Sequence, residues 1–152
     1  MITIGITGPT GCGKTTFLRE IAARGGEIVD CDALYYELLR TDPALKNALT
    51  AAFGDIFLPD GTLDRKSLAA QVFSDKASLD KLNGIVFFCV GNAVAEKKRQ
   101  AEAAKTPIFA IDAINLIESG MGAACEETVA VLAPKELRLS RIMARDDLTE
   151  AA

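Results

Sequence analysis

The chain has 152 residues, of which 49% are hydrophobic and 25% charged, with a formal net charge of −4. That balance fits one water-compatible domain able to bury a core, and it excludes bulk attraction to nucleic acid, so an anionic substrate has to be held by locally placed cations. The absence of histidine excludes every imidazole mechanism, and the four cysteines (12, 31, 89 and 125) lack the CxxC spacing of a zinc site or the density of a disulfide framework.

Residues Ile2 to Thr7 form a β-branched run that reads as a buried strand, and it is followed by Gly8-Pro9-Thr10-Gly11-Cys12-Gly13-Lys14-Thr15. This matches the phosphate-binding pattern GxxxxGK[ST] at every fixed position. Glycines at 8, 11 and 13 keep open a concave backbone whose N–H groups meet phosphate oxygens. Lys14 supplies a cation for the β- and γ-phosphates, and the Thr15 hydroxyl is a ligand for Mg²⁺. Phe17, Leu18, Ile21 and Ala22 recur at helical spacing, so the helix N-terminus that begins near Thr15 and Thr16 points at the phosphates. Cys12, inside this cradle and beside a helix N-terminus, reads either as a reactive thiol that bound ATP protects or as a small residue filling a tight loop.

Gly25-Gly26 stops the first helix, and Glu27-Ile28-Val29 leads to Asp30-Cys31-Asp32, a second strand ending in carboxylates. An aspartate at that end of a parallel strand is placed near the phosphate loop; Asp30 and Asp32 also suit capping of a helix beginning near Ala33. From there to about residue 105 the reading is helical. Leu34, Leu38 and Leu39 mark one helix; Asp42-Pro43 opens another that runs to Gly54; Pro59-Asp60-Gly61 is a turn. Asp64 caps a helix whose apolar residues are Leu68, Val72 and Phe73. Arg65 and Lys66 in its first turn suit either an anion or a solvated surface. The run Ile85 to Val90 is compatible with strand or helix, and the charged continuation Glu96 to Gln100 favours helix. It is also the longest apolar run, far short of the ~20 residues of a membrane span; no basic leader precedes the first strand, and a cytoplasmic protein with no membrane partner is expected.

Pro107 to Asp112 reads as a third strand and Thr128 to Ala133 as a fourth, with Asp112 placed to hold a magnesium-bound water. Pro134 opens a helix with Leu137, Ile142 and Met143 on one face and Arg138, Arg141 and Arg145 on another, a spacing that suits polyphosphate or a solubility face.

Taken together, the phosphate loop, Val29 to Asp32, Gly61 to Leu68, Leu82-Asn83 with Ile85, the segment Asp112 to Gly120, and Arg141 with Arg145-Asp146 resemble dephospho-CoA kinases over nearly the whole chain. The resemblance implies an α/β fold of the P-loop NTPase type, a parallel sheet flanked by helices. It implies one domain over 1–152, with a helical acceptor-binding insertion at about 34–105 and an incomplete lid from about 138. It further implies ATP as phosphate donor with Mg²⁺, and dephospho-CoA as acceptor. Asp32 and Lys14 would be catalytic, and Gly8, Gly11, Cys12, Gly13, Lys14, Thr15, Thr16, Arg141 and Arg145 would bind ATP. Asp32 and Arg65 would meet the acceptor, and Thr15 and Asp32 the metal. Where the family has His-Pro this chain has Phe87-Phe88, and where it has Pro-Leu this chain has Ile114-Asn115. Ending at Ala152, the chain is expected to lack the completed lid and a last strand, leaving an open side prone to association.

Overall fold

A computed structural model of the chain describes residues 1–146. Its elements are β1 (Ile2–Thr7), α1 (Lys14–Ala23), β2 (Glu27–Asp30), α2 (Cys31–Thr41), α3 (Pro43–Phe53), α4 (Arg65–Phe73), α5 (Lys76–Ala103), β3 (Ile108–Asp112), β4 (Glu127–Ala130) and α6 (Lys135–Asp146). They fall into two compact units, one made of Met1–Asp30 with the residues from Lys97 onward, the other of Cys31–Glu96.

The first unit is built on a four-stranded sheet in the order β2-β3-β1-β4, every pairing parallel. Parallel strands need crossovers, and the central strands are apolar along their length because both faces are covered. Accordingly Ile6, Phe109, Ala110 and Ile111 are buried, and Ile21 of α1 packs with Ile6 and Ala110. The register sets Asp30 of β2 beside Asp112 of β3, so two strands end side by side in carboxylates at the end of the sheet where β1 feeds the glycine-rich loop. Helix α1 ends in a Schellman arrangement: Gly25 N–H donates to Ala22 O at 3.0 Å, Gly26 N–H donates to Ile21 O at 3.0 Å, and Gly25 has φ +77.

The second unit is helical. Leu39, Leu45, Leu49, Phe53, Ile56, Leu68 and Val72 form its core, with Leu82, Ile85 and Cys89 of α5 packed against them. Asp42 caps α3 by accepting from Ala44 N–H at 2.9 Å, with Pro43 at the first helical position. Asp64 caps α4 by accepting from the N–H groups of Lys66 and Ser67, both at 3.1 Å, and the Ser67 hydroxyl, together with those backbone bonds, holds its carboxyl below the usual carboxylate range. Leu49 is fully buried, so Leu49→Ala should destabilise this unit by about 2–5 kcal/mol through lost transfer energy and the cavity left behind. A denaturant titration followed by circular dichroism, with an unshifted midpoint, would contradict that expectation.

One open reading is decided and three sequence expectations change. The ambiguous run Ile85 to Val90 lies inside α5, a single helix of 28 residues. β2 stops at Asp30 and α2 starts at once, so Asp32 sits in the first helical turn, where a carboxylate complements the helix dipole. β4 is shorter than expected because Val131 makes the last contact, donating to Thr7 O at 2.9 Å, where β1 ends and the loop turns away; Leu132 beyond it is 78% exposed. Phe73, expected on the apolar face of α4, is exposed, since it lies five residues from Leu68 and off the stripe shared by Leu68 and Val72.

Candidate functional site

The loop between β1 and α1 has the backbone that its glycines predict. Gly8, Gly11 and Gly13 have φ of +149, +79 and +102. A Cβ at Gly8 would lie 2.3 Å from Val131 O and 2.9 Å from Cys12 Sγ, and one at Gly11 would lie 2.9 Å from Arg138 O and 3.2 Å from Ile142 Cγ1. These are contacts that a side chain cannot make without moving backbone. Gly13 is the N-cap of α1 and offers no side-chain cap, so the first N–H groups of the helix are left to an anion, with no acidic residue in the first turn to compete.

Lys14 heads α1 and its Nζ lies 3.1 Å from Asp112 Oδ1, both side chains being mostly buried. That carboxylate oxygen accepts no well-aligned hydrogen bond among the described residues, so the contact is an ion pair held by charge and proximity. Thr15 and Thr16 occupy the exposed first turn of α1. On α6, Arg141 donates from Nη1 to Gly11 O at 3.2 Å, and the same nitrogen lies 3.5 Å from where a Gly13 Cβ would be. Arg145 is exposed one turn further along α6. The structure thus gathers Gly8, Gly11, Cys12, Gly13, Lys14, Thr15, Thr16 and Arg141 around one loop, and adds Asp112 as the ionic partner of the lysine.

Of the two readings of Cys12, its burial favours the small residue filling a tight loop. It is 5% exposed and its sulfur faces Gly8, so it fills a tight loop, whereas a reactive thiol has to be reachable. Gly11→Ala should combine a left-handed backbone penalty with a collision against the Arg138 carbonyl, costing about 1–3 kcal/mol and displacing α6 from the loop. Thermal melting with and without ATP checks this: the variant should melt lower and lose most of the ATP-induced shift, and a full shift would contradict it.

Asp32 and Arg65 belong to the helical unit. Asp32 stands in the first turn of α2, and Arg65 in the first turn of α4 with its guanidinium 5.0 Å from the ring centroid of Tyr36. Arg65 and Tyr36 line a cavity of about 720 Å³ together with Arg40, Lys46, Asp60 and Leu63. Sequence reasoning singled out Arg65 and missed Tyr36, Arg40 and Lys46. The i,i+4 spacing of Tyr36 and Arg40 on one helix was the available signal.

A parallel sheet with a glycine-rich loop after an interior strand, a lysine at the head of the next helix and an arginine of α6 hydrogen-bonded to the loop defines a P-loop phosphotransferase. The family profile described as CoaE, dephospho-CoA kinase, matches residues 2–152. The dephospho-CoA kinase of Anaeromyxobacter dehalogenans is 36% identical over 97% of this chain and 71% of its own length; that of Mycolicibacterium paratuberculosis is 40% identical over 99% of this chain and 37% of its own length. Among solved structures, TT1252 from Thermus thermophilus superposes with a TM-score of 0.79 at 33% identity, covering 97% of this chain and 74% of that one. The chain belongs to the dephospho-CoA kinase family.

Proposed function

We propose that the chain transfers the γ-phosphoryl group of ATP to the ribose 3′-hydroxyl of dephospho-CoA, giving coenzyme A in the cytoplasm. The observation that carries this reading is the loop itself, a GxxxxGKT backbone wrapped around an uncapped helix N-terminus with Lys14 held ready by Asp112. Phosphoryl transfer passes through a loose transition state and asks mainly for positioning and charge neutralisation. The loop N–H groups bind the β- and γ-phosphate oxygens, and Lys14 leaves Asp112 for them. Arg141 and Arg145 bring further positive charge from α6, and the region from about residue 138 acts as a lid. Its residues 147–152 lie outside those described.

Asp32 accepts the proton of the attacking hydroxyl, since a loose transition state asks little of the base. Arg65 and the helical region at about 34–105 hold the acceptor. Hard oxygen donors suit Mg²⁺, and the exposed Thr15 hydroxyl with the Asp32 carboxylate would hold it; the buried Asp112 Oδ1, without an aligned hydrogen bond, is an oxygen that a magnesium-bound water would satisfy. When bound, the ion neutralises charge on the β- and γ-phosphate oxygens. Among the described residues no cluster of three acidic or cysteine ligands exists, so a metal would rely on the nucleotide for most of its ligands. No described helix is long and apolar enough to cross a membrane.

The test is incubation with ATP, Mg²⁺ and a panel of acceptor alcohols, read by mass spectrometry. Coenzyme A is expected from dephospho-CoA; phosphorylation of an unrelated metabolite alone would overturn the acceptor assignment.

A further inference from the structure

Residues 76–96 of α5 belong to the helical unit, and one face of this stretch lies bare. The inner face is used: Val90 and Val94 are buried, and Ile85 and Cys89 pack on the helical core. Along the outer face, at spacings of three and four residues, run Lys81, Gly84, Phe88, Asn92 and Ala95, all of them exposed. Phe88 is 70% exposed, although phenylalanine is among the residues most often found fully buried.

Two glycines bracket that ring. Gly84 stands one turn before it and Gly91 one turn after, and a Cβ on either would meet nothing within 4 Å. Neither has the positive φ that calls for glycine. Glycine weakens a helix interior relative to alanine, so the fold of a single copy has no use for either. A second helix in close approach supplies one, because a missing side chain opens the hole that a partner's side chain fills. Phe88 is moreover half of the Phe87-Phe88 pair that stands where the family has His-Pro, so this face is a feature of this chain.

We propose that a second copy of the chain docks on this face, the two α5 helices crossing antiparallel about a two-fold axis level with residues 88 and 89. Charge selects the occupant and its direction. Lys81 and Glu96 are exposed charges of opposite sign near the two ends of the face. Asp80, next to Lys81, is paired with Lys76 at 2.8 Å and does not cancel the charge that Lys81 presents. A parallel pair would set Lys81 against Lys81 and Glu96 against Glu96. The antiparallel pair sets Lys81 of each copy level with Glu96 of the other, twice by symmetry. In that register each Phe88, leaning toward the N-terminus of its own helix, falls over Gly91 of the other copy. One crossing of two helices is a small interface, so a dissociation constant in the micromolar range is expected.

Sedimentation equilibrium of the full chain between about 1 and 100 µM tests this. A monomer–dimer equilibrium is expected, and a chain still monomeric at about 100 µM overturns the proposal. Phe88→Ser and Lys81→Glu are each expected to raise the dimer dissociation constant about tenfold or more. Gly91→Met, which has open space in a single copy, should do the same while leaving the circular dichroism of the chain unchanged. The charge swap of Lys81→Glu with Glu96→Lys should return the constant to within about threefold of wild type. A swap that dimerises no better than Lys81→Glu alone overturns the antiparallel pairing. A dissociation constant unmoved in both Phe88→Ser and Lys81→Glu also overturns the proposal, because it puts the interface elsewhere, the outer edge of β4 for instance. Both side chains are exposed; should one variant fail to fold, the other and Gly91→Met read the same face.

Discussion

Lys14→Ala is expected to weaken ATP binding at least a hundredfold and to abolish measurable turnover. On the proposed reading the lysine is the charge that the β- and γ-phosphates meet at the head of α1, and hydrogen bonds to charged groups of this kind are worth about 1.5–3 kcal/mol each. Its loss has a second cost specific to this structure. Asp112, 3.1 Å from Nζ and mostly buried, would be left without its counter-charge beside an incoming polyanion. Together these place the deficit near 3 kcal/mol or above, which is the hundredfold. Calorimetric titration with ATP reads it directly, and an affinity equal to wild type would show that the loop backbone alone carries the phosphates. The double variant Lys14→Ala with Asp112→Asn should recover part of the loss, because it removes the repulsion that the single change exposes.

Asp32→Asn should separate binding from chemistry. The amide keeps the shape of the side chain in the first turn of α2, so ATP affinity is expected within about twofold of wild type, whereas turnover should fall by the 10²–10⁴-fold typical of losing a general base. The measurement is coupled ADP release at saturating ATP and dephospho-CoA. Turnover retained in Asp32→Asn would reduce this residue to a favourable charge at a helix N-terminus, and proton removal would have to be assigned elsewhere.

The phosphate loop was legible because its signal is local: three glycines, a lysine and a threonine at fixed spacing between a β-branched run and an amphipathic stretch. The parallel sheet followed from strands alternating with helices. What escaped are features made by register and by tertiary contact. Asp112 was placed at a strand end, but its pairing with Lys14 depends on β3 lying beside β1, an arrangement no spacing along the chain encodes. The burial of Cys12 comes from the sharp fold of the loop on itself, while its neighbours in sequence, a helix N-terminus and a lysine, left a reactive thiol open as a reading. Tyr36 and Arg40 of α2 meet Lys46 of α3 and the turn around Gly61, which is closed by Leu58 N–H donating to Thr62 O at 2.8 Å. Ile85 to Val90 was ambiguous because a short apolar run carries no period of its own; its continuation decided for helix.

The two tyrosines stand next to each other on α2, and the chain has no tryptophan. All useful intrinsic fluorescence of this protein therefore originates from neighbouring rings in the helical unit, one of them stacked with Arg65 and lining the cavity. The molecule has a built-in optical probe at a single address. Emission, anisotropy and quencher access all report on that cavity without an attached dye. A stopped-flow trace of tyrosine emission would then time events at that cavity from one unlabelled sample.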